Sequence, residues 1–226
     1  MRREEYQQIE AYMQRCMTDA AHDREHIYRV LYNALEIAAS EPETDLDVLV
    51  AACLLHDIGR EKEYAAPHVC HAEAGAEMAL EYLLDRGWLP ERAQAVANAI
   101  CTHRYRQDRP PVSLEGKILF DADKLDVVGA IGIARTISYC GHVGEPYYTT
   151  DEDGMVLDGS GQEPPSVFQE YHRKLKRLYE GFYTARGREL AAARRRHAEE
   201  LYAHLLEEVR TGRAEGKLLL ERILQQ

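Results

Sequence analysis

The sequence predicts an all-α protein, and three observations lead to this fold class. Apolar residues recur at steps of three and four along almost every ordered-looking segment, which is the helical period. Alternating runs of the kind that form strands are almost absent. The chain has 226 residues, 45% of them hydrophobic, and this is enough to bury a core without disulfide or metal staples. We therefore expect a single all-α domain over residues 1–226.

The first two thirds of the chain should contain six helices, and their ends have physical reasons. Pro42 stops the second helix, Thr44 or Asp45 caps the third, Pro90 suits the first position of the fifth, and Ser113 caps the sixth. The expected approximate bounds are 6–17, 27–38, 45–55, 71–84, 90–103 and 113–126. The apolar run VVGAIGIARTISYC that follows should be a buried helix or a continuation of the sixth.

Residues 141–166 differ from the rest of the chain. They are rich in glycine, proline and aspartate and show no helical period, which predicts a loop or lid, with a small hairpin around Asp153-Gly154. Helices should resume over 167–226. The last segment, TGRAEGKLLLERILQQ, is predicted as a short amphipathic helix that packs on the body or on a second copy, so a homodimer stays open.

Charge and cysteine content limit the classes of partner. The formal net charge of −11 disfavours a general binder of DNA or RNA, whereas a phosphorylated small molecule can bind where metal ions or a basic cluster reverse the local field. The five cysteines are odd in number and lack a Cys-x-x-Cys pair, which favours reduced thiols. The sequence shows neither the pattern of a signal peptide nor an apolar stretch as long as a membrane span. We therefore expect a soluble cytoplasmic protein without a membrane partner.

Several histidines and carboxylates lie at helix ends or on inward-facing positions. Buried imidazoles and carboxylates are unfavourable without a partner, so their convergence predicts a divalent metal, of the Mn²⁺ to Zn²⁺ series rather than Ca²⁺. The residues are His26, His56, Asp57, His71, His103, Asp121, Asp123 and Asp126.

Helix geometry separates the last three aspartates only in part. Residues two apart on a helix point about 200° from each other, so Asp121 and Asp123 cannot both face one ion. Asp123 and Asp126 share a face. The periodicity does not choose between Asp121 and the other two, because apolar residues flank both sets.

Three motifs in order, HIYRV, LLHDIGR and DADKLD, resemble the HD superfamily of metal-dependent phosphohydrolases over roughly residues 20–140. The segment from Ser166 to Glu200 is similar to the tail of small stand-alone prokaryotic members of the HDIG type. The resemblance implies an HD-domain helical bundle with additional C-terminal helices, and a metal site formed by His26, His56, Asp57 and Asp123. It selects Asp123 over Asp121, and it leaves Asp126 to orient a ligand or a water. The pair His22-Asp23 is an accidental match.

Two further motifs, HAEAGA and AICTHR, resemble those of HD proteins that hold two metals. There His71 and His103 would complete a second site and Asp57 would bridge the ions. In many stand-alone members such histidines contact substrate or water instead, so one or two ions per chain are both open. The metal could be Mn, Fe, Ni, Co, Zn or Mg.

Basic and acidic residues next to these motifs complete the expected site. Arg60, Arg104 and Lys124 lie within three residues of an expected ligand, where a phosphate would need neutralising. Lys124 also matches a phosphate-contacting lysine of related triphosphohydrolases. Glu61 matches an acidic position of related alarmone hydrolases and, beside the metal-bound Asp57, is the candidate catalytic general base.

The resemblance implies hydrolysis of a phosphorylated small molecule, which we expect to be a nucleotide. The bond would be a phosphoanhydride of a nucleoside di- or triphosphate, or the ester of a monophosphate. Manganese is the metal we would test first. Two alternatives stay open: an HD-type di-iron oxygenase, which has the same six-ligand order, and a non-catalytic metal-bearing module that binds a nucleotide.

Overall fold

The computed structural model describes residues 1–17, 24–66, 68–104 and 109–225, and its regular structure there is helical, which confirms the all-α prediction. His22 and Asp23 lie outside these ranges. The helices are α1 Arg3–Cys16, α2 Arg24–Ala38, α3 Leu46–Leu55, α4 Arg60–Ala65, α5 His71–Asp85, α6 Pro90–Cys101, α7 Leu114–Leu125, α8 Gly129–Val143, α9 Val167–Arg173, a 3-10 turn Leu175–Arg177 and α10 Ala185–Leu224.

Helix ends follow the capping residues of the sequence. Asp45 is the cap of α3, because its carboxylate accepts hydrogen bonds from the backbone N–H groups of Asp47 and Val48 at 3.1 and 3.2 Å. The Ser113 hydroxyl accepts from the Gly116 N–H at 3.0 Å and caps α7. Pro90 is the first residue of α6. These expectations are confirmed.

The chain divides into two compact units, of which unit 1 comprises Met1–Asp126 and Phe182–Arg188 and unit 2 comprises Val127–Gly181 and Glu189–Gln226. The single domain expected over residues 1–226 stays a prediction. In unit 1, α3 is the central helix and contacts α1, α2, α5, α6 and α7. It is apolar on all sides, as expected of a helix surrounded by others, and Leu49, Leu54 and Leu55 have no exposed surface.

Unit 2 has its own small core, in which Ile133 of α8, Tyr171 and Leu175 meet Ala198 of α10. The hairpin expected near Asp153-Gly154 is present as one antiparallel bridge between Thr150 and Val156. Basic side chains of α10 hold it by donating to backbone carbonyls of residues 153, 154 and 156. The role of 141–166 as a lid stays a prediction.

Two expectations for the C-terminal part are wrong. The run expected as a buried helix or a continuation of the sixth is a separate helix, α8, but it is buried only in part: Gly129, Gly132, Ile133 and Cys140 are buried while Tyr139 is 64% exposed. The expected short terminal helix is the end of α10, which continues unbroken for 40 residues. The two glycines of this terminal segment, Gly212 and Gly216, lower helix propensity by only about 1 kcal/mol each, which is too little to break so long a helix. No helix in the described part of the chain is long and apolar enough to cross a membrane.

Candidate metal centre

The centre of the site is the turn that follows α3. Since the second half of α3 is buried, the residues that follow it, His56 and Asp57, are also carried into the interior. Gly59 allows this turn to contact α5 directly. A Cβ atom at Gly59 would lie 2.2 Å from the carbonyl oxygen of His71 and 2.6 Å from the backbone nitrogen of Gly75. Glycine is thus required where the first turn of α5 brings His71 to Asp57.

We expect Gly59→Ala to destabilise the protein and to displace His71 from Asp57. The atoms in the way belong to the backbone and cannot move aside cheaply, so the loss should reach or exceed the roughly 1–3 kcal/mol typical of overpacking. Thermal unfolding measures this loss. Gly141→Ala is the matched control, because Gly141 has open space around its Cβ position and should tolerate alanine. Equal melting temperatures for the two variants would contradict the prediction.

One cluster of metal-ligating atoms comprises His26 of α2, Asp123 of α7, and His56, which directly follows α3. One ligand atom of each residue lies within 4.8 Å of those of the others. The Nε2 atom of His26 lies 3.3 Å from Nε2 of His56 and 3.3 Å from Oδ1 of Asp123. Both histidines are buried, whereas the Asp123 side chain is 27% exposed. The cluster therefore opens towards solvent at the aspartate.

A second cluster comprises Asp57, His71 of α5 and His103, which follows the end of α6. The Nε2 atoms of the two histidines are 3.4 Å apart. Oδ1 of Asp57 lies 3.5 Å from Nε2 of His71 and 3.7 Å from Nε2 of His103. All three residues are buried.

Asp57 joins the two clusters. While its Oδ1 atom faces the second cluster, its Oδ2 atom lies 3.7 Å from Nε2 of His26 and 3.7 Å from Nε2 of His56. Each carboxylate oxygen thus serves one cluster. One residue directly after α3 therefore contacts both sets of imidazole nitrogens.

The Nδ1 atoms of the four histidines are all occupied. His56 and His103 contact the backbone carbonyls of Cys53 at 2.8 Å and Ile100 at 2.6 Å. Because a carbonyl only accepts, both rings donate from Nδ1, and in the neutral ring the lone pair is then on Nε2.

The other two histidines are held by carboxylates. His26 Nδ1 lies 2.8 Å from Oδ2 of Asp126, and His71 Nδ1 lies 2.7 Å from Oε2 of Glu63. Each ring donates from Nδ1, so its Nε2 atom points into its cluster. The neutral rings of His71 and His103 thus face each other with lone pairs on Nε2, which cannot satisfy each other, whereas a cation between them would, so this donor set fits a divalent metal.

Burial and charge set the protonation of the site. Burial lowers the pKa of His56 to about 4 and also lowers the pKa of His71 and His103, so these rings are neutral near pH 7. Burial acts on His26 in the same direction, but hydrogen bonds to Asp123 and Asp126 outweigh it and raise its pKa to about 9. A proton on His26 and a divalent cation are thus alternative counter-charges for the carboxylates.

Two of the other expected site residues lie on or beside the clusters. Asp126 accepts from His26 and also from Arg29, whose Nε is 2.6 Å from Oδ1 of Asp126. Arg60 donates from Nε to Oδ1 of Asp57 at 3.0 Å, and this charge helps to hold the pKa of Asp57 well below its usual value despite burial.

The remaining three are placed differently. Arg104 donates to Oε1 of Glu63 at 2.9 Å. Lys124 is buried, with its ammonium 4.8 Å and 5.6 Å from the ring centres of Phe182 and Phe120. Glu61 is exposed on α4, and the glutamate that contacts a site histidine is Glu63. The phosphate-binding and general-base roles expected of these side chains stay predictions.

Comparison with known proteins identifies the family to which this fold belongs. The HD domain family matches residues 24–128. YpgQ, an uncharacterized protein of Bacillus subtilis (strain 168), is 30% identical over 194 residues, which is 83% of this chain and 85% of YpgQ. The chain belongs to the HD-domain superfamily.

Solved structures agree with this membership. A predicted HD superfamily hydrolase from an uncultured Thermotogales bacterium is 33% identical, with a TM-score of 0.62 over 91% of this chain and 92% of that protein. The structure of Bacillus subtilis YpgQ in complex with ADP is 28% identical, with a TM-score of 0.70 over 91% of this chain and 95% of YpgQ. This HD-domain protein therefore shares its fold with relatives along most of its length.

Sequence reasoning missed several supporting groups of this HD-domain protein. Arg29 lies three residues after His26, so its place on the same helix face was available from the spacing. Glu63 had no such signal, because α4 was not predicted. The carbonyls of Cys53 and Ile100 carry no side-chain signature. They can be anticipated only from the rule that a metal-binding histidine usually donates its other N–H to an acceptor.

Proposed function

We propose that this protein is a metal-dependent phosphohydrolase that uses two divalent ions and acts on a nucleotide, at a phosphoanhydride of a nucleoside di- or triphosphate or at the ester of a monophosphate. The observation that carries the proposal is Asp57, whose two oxygens face two clusters of histidines and carboxylate. A single structural metal would need neither the second cluster nor the shared carboxylate.

Membership of the HD superfamily makes a divalent metal the natural occupant, and the residues divide into two sets. His26, His56 and Asp123 would hold one ion, His71 and His103 would hold the other, and Asp57 would contact both. Such ions would supply Lewis acidity and would lower the pKa of a water bound to them to about 7, as is typical of metal-bound water. Imidazole with carboxylate suits Mn²⁺, Fe²⁺, Ni²⁺, Co²⁺ or Zn²⁺, and Mg²⁺ less well. Manganese is our first choice for assays.

The exposure of the side chains indicates how a substrate reaches the site. The four histidines are almost fully buried, whereas Asp123, Arg60 and Arg104 are 27–34% exposed. A phosphate group would therefore approach beside Asp123 and meet the two guanidinium groups. Both arginines are fixed by carboxylates, Arg60 by Asp57 and Arg104 by Glu63, so their remaining N–H groups are oriented before a phosphate arrives.

A nucleotide is favoured by a relative. YpgQ, which is similar to this chain along nearly its whole length, has been crystallised with ADP. The net charge of −11 gives no general attraction for a polyanion, so the local arginines and the metal ions must supply it. This favours a small phosphorylated substrate over a nucleic acid.

Metal analysis followed by an anaerobic assay tests the proposal. Protein loaded with Mn²⁺ or Co²⁺ should release phosphate or pyrophosphate from members of a nucleotide panel, with ADP and ATP included. Turnover that requires iron and oxygen would indicate an oxygenase instead. Tight nucleotide binding without turnover would indicate a binding module.

Two alanine variants test the number of ions. His71→Ala and His103→Ala should each lower the stoichiometry from two metals per chain to one, because each removes a ligand that serves only the second cluster. Metal content after gel filtration measures this directly. One equivalent of metal in the wild type and in both variants would mean that a single ion binds and that these histidines serve the substrate.

A further inference from the structure

The two clusters are supported in the same way. In the first, His26 is held by Asp126, and Asp126 accepts from Arg29. In the second, His71 is held by Glu63, and Glu63 accepts from Arg104 at 2.9 Å. Each cluster thus has one histidine anchored to a backbone carbonyl and one anchored through a carboxylate to an arginine.

The two supporting carboxylates differ in burial. The side chain of Asp126 is 1% exposed, whereas that of Glu63 is 25% exposed and lies on α4, which has only six residues. Water competes for the hydrogen bonds of an exposed carboxylate, so Glu63 restrains its histidine less firmly than Asp126 does. Oε2 of Glu63 also lies 3.6 Å from Nη1 of Arg60, and Nε of the same arginine donates to Oδ1 of Asp57.

We propose that Glu63 is the positioning residue of the second cluster. It keeps the proton of His71 on Nδ1, directs Nε2 of that ring towards Asp57 and His103, and ties the ring to Arg104. This inference rests on the proposed two-ion function. It implies that the two ions bind with unequal affinity, and that the second ion is the weaker and more readily exchanged because its support reaches solvent.

Titration of the metal-free, full-length protein with Mn²⁺ by calorimetry tests this inference. The wild type should bind two equivalents. Glu63→Ala should weaken the second equivalent by about 10- to 100-fold, which is typical for loss of an outer partner of a metal ligand, and leave the first unchanged. Glu63→Gln should give a smaller loss, since its amide oxygen still accepts from Nδ1 without the charge. Glu81→Gln, an exposed glutamate of α5, is the control and should retain both equivalents.

The tautomer of His71 is a second readout that does not depend on metal. Nitrogen-15 NMR of the metal-free protein should show Nδ1–H on this ring in the wild type and a mixed tautomer in Glu63→Ala. If Glu63→Ala fails to fold, the isosteric Glu63→Gln carries the metal titration, in which the second equivalent should still bind more weakly than in the wild type.

Two outcomes would overturn the inference, and they are distinguishable. If the wild type binds two equivalents and Glu63→Ala binds both as tightly, Glu63 has no positioning role while the two-ion function stands. If the wild type itself binds one equivalent, the two-ion function and the role of Glu63 fail together.

Discussion

Replacing Asp57 with alanine is expected to remove both metal ions and to abolish hydrolysis. The other ligands belong to one cluster each, but the oxygens of Asp57 face both, at 3.5–3.7 Å from four imidazole nitrogens. Its loss should therefore reduce activity by more than the roughly 10- to 100-fold that follows loss of an outer partner. Metal content and phosphate release measure the two effects.

Comparison with a single-cluster variant sharpens this test. His56→Ala removes a ligand of the first cluster only, so it should weaken one equivalent of metal while Asp57→Ala loses two. Asp85→Ala, at an exposed position of α5, is the matched control for removing a carboxylate and should bind metal as the wild type does. Two full equivalents retained by Asp57→Ala would show that the ions bind elsewhere.

Alanine at Asp121 and at Asp123 should have opposite effects. Asp121 is fully buried and accepts three hydrogen bonds, from the Tyr183 N–H at 2.9 Å and from the N–H and hydroxyl of Thr184 at 2.7 and 2.6 Å. Its removal leaves buried donors without an acceptor, so the free energy of unfolding should fall by about 3 kcal/mol or more, with metal binding retained. Asp123→Ala should instead lose metal affinity and turnover, with a small effect on folding.

Chemical denaturation and metal titration of the same two variants separate these effects. Asp121→Asn retains the shape of the side chain and should recover part of the lost stability. The assignment would be reversed if Asp121→Ala lost the metal and Asp123→Ala retained it.

The sequence predicts much of this fold because its local signals agree with the tertiary structure. The caps at Asp45 and Ser113 and the proline at Pro90 act within a few residues of themselves, so no distant contact is needed to interpret them. The order of His26, His56-Asp57 and Asp123 identified the family. The structure adds the separation of Asp121 from Asp123, which periodicity left open.

Other features depend on distant contacts and have no local signal. The requirement for glycine at Gly59 comes from the close approach of α5. The role of Glu63 depends on the path of α4 between the turn that follows α3 and the start of α5. The donors to Asp121 are Tyr183 and Thr184, 62 and 63 residues further along the chain. Hydrophobic periodicity describes which face of a helix is buried, but it does not say what lies opposite.

The contact between Asp121 and Thr184 has a consequence for biosynthesis. Unit 1 is discontinuous in sequence, since it is completed by Phe182–Arg188 after an excursion through Val127–Gly181. Every proposed metal ligand has therefore left the ribosome well before the buried carboxylate of Asp121 meets its donors. Nascent chains that stop between these points carry all six ligands on an incomplete scaffold. A gene truncated after residue 140 would encode the same unfinished unit, so a fragment expressed to study the metal-binding part needs residues up to 188.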